Sequence, residues 1–223
     1  MTRRVRAFVV AGVVLLTLPL EAQQFVPPRN NEVELFLRNV FCAKTTEPGA
    51  DEVYVLVLGK SSDGKSVATR IPANAPNAAS GHWDMNDNQG LGCNRPSGDS
   101  YCIENKSLGF FSTASNTSWD VVVVFMEEDR GLGKNVEDIV RDAVANSGGD
   151  FIVGAVNLLL GLVTNDTDDF IGSVGAHITA NSVTWRDVDR VRFHVPYPND
   201  PLRLYGFEMN GDGAQYTAHI GLR

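Results

Sequence analysis

The segment Trp119-Asp120-Val121-Val122-Val123-Val124-Phe125 constrains this chain more than any other. Successive side chains of a strand point to opposite faces, so a β-branched and aromatic run without polar alternation needs cover on both sides. It predicts a central strand. The end of the run is equally marked, because it passes directly into Met126-Glu127-Glu128-Asp129-Arg130. A second acidic stretch, Asp166-Thr167-Asp168-Asp169-Phe170-Ile171-Gly172, opens the next apolar segment. Carboxylates two apart on an extended segment point the same way and can converge where strands leave a sheet. Left alone they repel one another. A hard dication such as Ca²⁺ removes the repulsion and accepts six to eight oxygen ligands.

Most of the remaining chain also reads as β. Val33, Leu35 and Leu37 alternate with Glu32, Glu34 and Arg38, the pattern of a half-buried strand. Val53 to Leu58 is a continuous β-rich run, and Asp63-Gly64 is a hairpin turn into Val67 to Ile71. Leu108 to Phe111, Val183 to Trp185 and Val191 to Val195 are further strands. The turn Asn210-Gly211-Asp212-Gly213 joins Leu202–Met209 to Gln215–Leu222 as a hairpin. Residues 72 to 106 carry no period and read as one long loop containing His82 and Trp83. Within it, Asp84 to Gly90 has oxygen-bearing side chains at alternate positions. An EF-hand needs Gly sixth and Glu twelfth, where this chain has Gln89 and Arg95, so an ordinary polar loop is expected.

The period changes between the two acidic stretches. Val136, Ile139, Val140 and Ala143 recur at three and four, which is helical. Ser147-Gly148-Gly149 breaks that helix, and Asp150 caps a second one through Val163. The expected fold class is therefore mainly β, an antiparallel β-sandwich with an inserted α-helical hairpin at about 134–165.

Arg3, Arg4 and Arg6 followed by apolar Ala7 to Leu20 have the form of a secretory signal, with cleavage after Ala22. Residues 1–22 are then a signal peptide, residues 23–223 a single domain, and the location secreted or periplasmic. No stretch of the mature chain is long enough to be a transmembrane segment. The chain carries 19 Lys+Arg against 27 Asp+Glu. The leader holds three of the basic residues and one acidic residue, leaving 16 against 26 and a net charge of −10. That balance argues against a nucleic-acid partner, which requires a basic footprint.

Three cysteines fit an exported chain with one staple. Cys93 and Cys102 flank a loop rich in Asn, Pro, Gly and Ser and are expected to form a disulfide, with Cys42 a buried free thiol; pairings with Cys42 remain open at this level. His177, His194 and His219 sit in strand patterns without metal-ligand spacing and read as satisfied side chains. No Gly-x-Ser-x-Gly, P-loop or Cys-x-x-Cys occurs.

Three pieces, in order along the chain, resemble the C2 domain, the calcium-binding β-sandwich of lipid-binding proteins. Gly49-Ala50-Asp51-Glu52-Val53-Tyr54-Val55 is similar to that family's Gly-x-Ser-Asp-Pro-Tyr-Val. Val124 to Arg130 is similar to its strand ending in Asp-x-Asp, and Asp168 to Gly172 to its Asp-Asp-Phe-Ile-Gly. The chain departs in having Thr45 where the family's first loop has an Asp, Glu127 for the first Asp of Asp-x-Asp, and nearly forty residues between the last two pieces. The resemblance also extends to small secreted bacterial proteins of this type with a helical insert. It implies metal ligands at Asp51, Glu127, Asp129 and Asp169, with Glu47 and Asp168 as neighbouring donors.

The function expected from these features is a calcium-binding module, not an enzyme, that binds a lipid head group, glycan or protein ligand through its acidic loops. One alternative is a membrane-active effector or toxin whose apolar hairpin makes membrane or partner contact through Phe151, Ile152, Leu158, Leu159 and Leu160. The other is a secreted hydrolase using the acidic cleft.

Overall fold

The computed structural model describes residues 31–46, 48–72, 82–87, 89–91, 106–128, 150–163, 169–189, 191–193, 204–211 and 213–223. Among them the chain runs β1 (Glu32–Lys44), β2 (Asp51–Ser61), β3 (Ser66–Ile71), β4 (Trp83–Met85), β5 (Gln89–Leu91) and β6 (Lys106–Ser112). It continues with β7 (Trp119–Glu127), α1 (Phe151–Val163), β8 (Asp169–Ile178), β9 (Val183–Asp189), β10 (Val191–Phe193), β11 (Tyr205–Met209) and β12 (Gln215–Leu222).

Two antiparallel sheets result. One has the order β10-β11-β12-β1-β5, with β6 also on β1; the other has the order β3-β2-β7-β8-β9, with β4 also on β2. The valine run is central as expected, since β7 lies between β2 and β8. Val121, Val123 and Phe125 face the space between the sheets, with Val53, Val55 and Val57 from β2 and Leu35, Leu37, Tyr216 and Ile220 from the opposite sheet. Trp185 of β9 packs at a tilt, its ring centre 5.1 Å from those of both Tyr205 and Phe207 of β11.

The other face of the valine run is covered by the helix. Val122, Val124 and Met126 join Tyr54, Leu56, Leu58 and Phe170 in a second core under Phe151, Ile152, Ala155 and Val156 of α1. Asp150 caps the helix, its Oδ1 accepting from the Ile152 N–H at 3.1 Å. Its other oxygen meets Arg186 of β9 at 3.2 Å.

Of the expected helical hairpin the described residues contain one helix, α1; Val136 to Ala143, its first arm, lie outside them. Phe151 and Ile152, expected as membrane or partner contacts, are 4% and 1% exposed, because the outer valines of β7 take them as cover. Leu158, Leu159 and Leu160 lie within α1, with side chains outside the described set. No helix among the described residues is long and apolar enough to cross a membrane.

The long loop contains two short strands that sequence patterning missed. β4 pairs with β2 and β5 pairs with β1, so the chain passes from one sheet to the other between Met85 and Gln89. Asp87 fastens this crossing, accepting from the Thr45 N–H at 2.7 Å and its hydroxyl at 2.9 Å. The backbone bond holds the Asp87 carboxyl below its ordinary range. Cys42 is a free, buried thiol, as expected, and burial pushes its pKa up. Cys93 and Cys102 lie outside the described residues, as do residues 1–22.

The chain end is bound to β1. Arg223 and Glu34 exchange backbone bonds of 2.8 and 3.1 Å. The Arg223 guanidinium also reaches Glu34 with Nε–Oε2 2.6 Å and Nη2–Oε1 3.1 Å, an ion pair lying over the Phe36 ring. This hydrogen bonding holds Glu34 below its ordinary pKa of 4.5. A lowered carboxyl pKa stabilises the fold above the unfolded value and loses that stabilisation as pH falls through the folded value. Glu34→Gln should therefore cost about 1 kcal/mol at neutral pH. The difference from wild type should shrink as pH drops below 4.5, read by urea unfolding at several pH values.

Gly211, in the β11–β12 turn, packs against the start of β8. A Cβ there would lie 2.3 Å from the Phe170 carbonyl oxygen and 2.4 Å from that of Ile171. Backbone in a sheet has little room to yield. Gly211→Ala is expected to lower stability by on the order of 3 kcal/mol in denaturant unfolding.

Candidate metal-binding end of the sandwich

The register brings the acidic segments to one end of the second sheet. Glu127, the last residue of β7, pairs with Val53 on one side and with Asp169, the first residue of β8, on the other. Asp51, the first residue of β2, lies two positions before Val53 and pairs with Met85. Three of the six expected ligands, Asp51, Glu127 and Asp169, thus head or end adjacent strands. Glu47, Asp129 and Asp168 lie outside the described residues.

Strand alternation then splits the acidic doublets. Asp51 and Glu127 share the parity of Val53 and Phe125, which face the core between the sheets, and both are fully buried. Glu52 and Glu128 share the parity of Tyr54 and Met126 and project to the helix-bearing face.

Inside, Asp51 ties three elements together. Its oxygens accept from the Thr46 N–H at 3.0 Å, from the Thr46 hydroxyl at 2.9 Å and from the Tyr216 hydroxyl of β12 at 2.5 Å. Tyr216 lies directly across from Cys42 on β1. Burial above all, and then donation to Asp51, pushes the phenol far above its ordinary range, so it remains a donor at any working pH. The carboxylate thus has a structural task in addition to any ligand role. Tyr216→Phe removes the only described side-chain donor that reaches Asp51 from the opposite sheet. It should cost roughly 1–3 kcal/mol, measured by urea unfolding, because a buried carboxylate loses a partner.

Outside, a group forms that contains one residue from the missed strand. Glu52 pairs with Asp84 across β2 and β4, and His82 immediately precedes β4. One ligand atom from each of Glu52, His82 and Asp84 lies within 4.8 Å of the others. His82 Nε2 stands 3.3 Å from Asp84 Oδ1, and His82 Nδ1 stands 3.3 Å from Glu128 Oε2. Glu128 is paired in turn with Arg70, whose guanidinium carbon lies 3.7 Å from the centre of the Tyr54 ring. Trp83 is turned inward and packs against the main core.

Sequence reasoning passed over His82 because it stands alone in an aperiodic stretch; only the pairing of β4 with β2 brings Glu52 to it. Two other histidines are satisfied as expected: His177 Nδ1 meets Asp120 at 2.7 Å and His219 Nδ1 meets Asn39 at 2.5 Å. His194 lies outside the described residues.

No protein-family model, no curated protein and no solved structure matches this chain.

Proposed function

We propose that this chain is an exported binding module that takes calcium at the acidic end of the sandwich and uses it to hold an oxygen-rich ligand, a lipid head group or a glycan. The observation that carries the reading is the cross-strand alignment of Asp51, Glu127 and Asp169 at adjacent strand ends. Withdrawing carboxylates from water is costly, and a dication offsets that cost while drawing the strand ends together. Asp51 shares its oxygens with Thr46 and Tyr216, so in this reading it serves the fold as well as the ion. Export is supported by Arg3, Arg4 and Arg6 ahead of apolar Ala7 to Leu20. Burial of Phe151 and Ile152 counts against the membrane-active alternative.

A thermal melt in EDTA and then across a calcium titration tests the reading, with magnesium as control. At a hundredfold excess over Kd, calcium should raise the midpoint by about 5–10 °C. Glu127→Gln and Asp169→Asn should abolish the rise. An unchanged midpoint up to millimolar calcium would overturn the assignment. With the ion established, EDTA-reversible binding to phosphatidylserine vesicles or to a glycan array separates the two ligand classes.

A further inference from the structure

We propose that Glu52, His82 and Asp84 form a second metal site, for a first-row transition dication of the zinc type, on the helix-bearing face of the β4–β2–β7 corner. It does not rest on the calcium reading, because Asp51 and Glu127 have the opposite strand parity and face the core between the sheets.

The sheet register builds the ligand set. Glu52 and Asp84 are direct cross-strand partners, and His82 approaches from the residue before β4. The 3.3 Å between His82 Nε2 and Asp84 Oδ1 already matches the spacing of two ligands on a tetrahedral zinc. With metal–ligand bonds of about 2.0–2.1 Å that spacing is about 3.3 Å. The Glu52 oxygen, within 4.8 Å of the other donors, is the third ligand of the face.

The second observation stands behind the histidine. Nδ1 faces Glu128 Oε2 at 3.3 Å, and Glu128 is anchored by Arg70. The Arg70 side chain is only 2% exposed and is fixed over the Tyr54 ring. With Glu128 at Nδ1, the nitrogen left for a metal is Nε2, which stands 3.3 Å from Asp84 Oδ1. A metal satisfies all three groups at once, with Glu128 as the outer carboxylate that orients the ligating imidazole. Glu128 also neutralises Arg70, which would otherwise repel the ion. One imidazole nitrogen with two carboxylate oxygens suits zinc, cobalt or nickel, whereas calcium takes oxygen donors alone. Three protein ligands leave a fourth position open to water or to a ligand group.

Calorimetric titration of the purified protein with Zn²⁺, paired with the visible spectrum of bound Co²⁺, tests this. One saturable site per chain is expected, with tetrahedral cobalt bands. His82→Ala should weaken zinc binding at least 100-fold. Glu128→Gln, acting only through the imidazole, should weaken it by about 10–100-fold. Asp84 is half-exposed, so Asp84→Asn keeps the fold intact and should still lower affinity at least tenfold. Glu127→Gln, which tests the calcium reading, should leave zinc affinity unchanged. Absence of saturable zinc binding, or wild-type affinity in both His82→Ala and Asp84→Asn, would overturn the proposal.

Discussion

Everything in this fold follows from β7 being buried on both faces. Its odd-numbered residues Val121, Val123 and Phe125 fill the space between the sheets, while Val122, Val124 and Met126 face outward. A two-layer sandwich covers only one face of each sheet. The outward valines therefore require a third layer, and α1 supplies it with Phe151, Ile152, Ala155 and Val156. The helix also returns the chain to the same sheet, since β8 pairs with β7 directly after it. The apolar side chains of Phe151, Ile152, Ala155 and Val156 are thereby explained as packing.

The same alternation that buries the valines distributes the charges. Asp51-Glu52 and Glu127-Glu128 are doublets at facing ends of β2 and β7. Period-two geometry sends one member of each inward and the other outward. Asp51, of the inward pair, meets Tyr216 and the Thr46 loop, where a polar atom must find a partner away from water. The outward pair meets Arg70 and His82 at a partly exposed corner. One row of carboxylates in the sequence becomes two chemically distinct environments separated by the thickness of a sheet.

Much of this architecture was legible where the local signal was long or sharply capped. The strands containing Val53 to Leu58 and Trp119 to Phe125, the hairpin closing on Gln215, and the helix from Phe151 to Val163 behind its Asp150 cap all lie where patterning put them. β4 and β5 were not legible, since three residues cannot display a period and their strand character comes only from pairing with β2 and β1. The β1 register shift between Leu37 and Asn39 was equally hidden, although it turns Cys42 inward toward the core.

The sequence by itself determined the longer strands, which strand must be central, and that acidic residues stand at strand ends. These depend on neighbours within a few residues, where side-chain period and capping chemistry act. Only the tertiary structure decided which carboxylates meet and on which face. Glu52 finds His82 and Asp84 through the β2–β4 register, and Asp51 finds Tyr216 across 165 residues of chain. Such contacts are fixed by strand pairing and sheet stacking, and a one-residue slip would exchange the two faces.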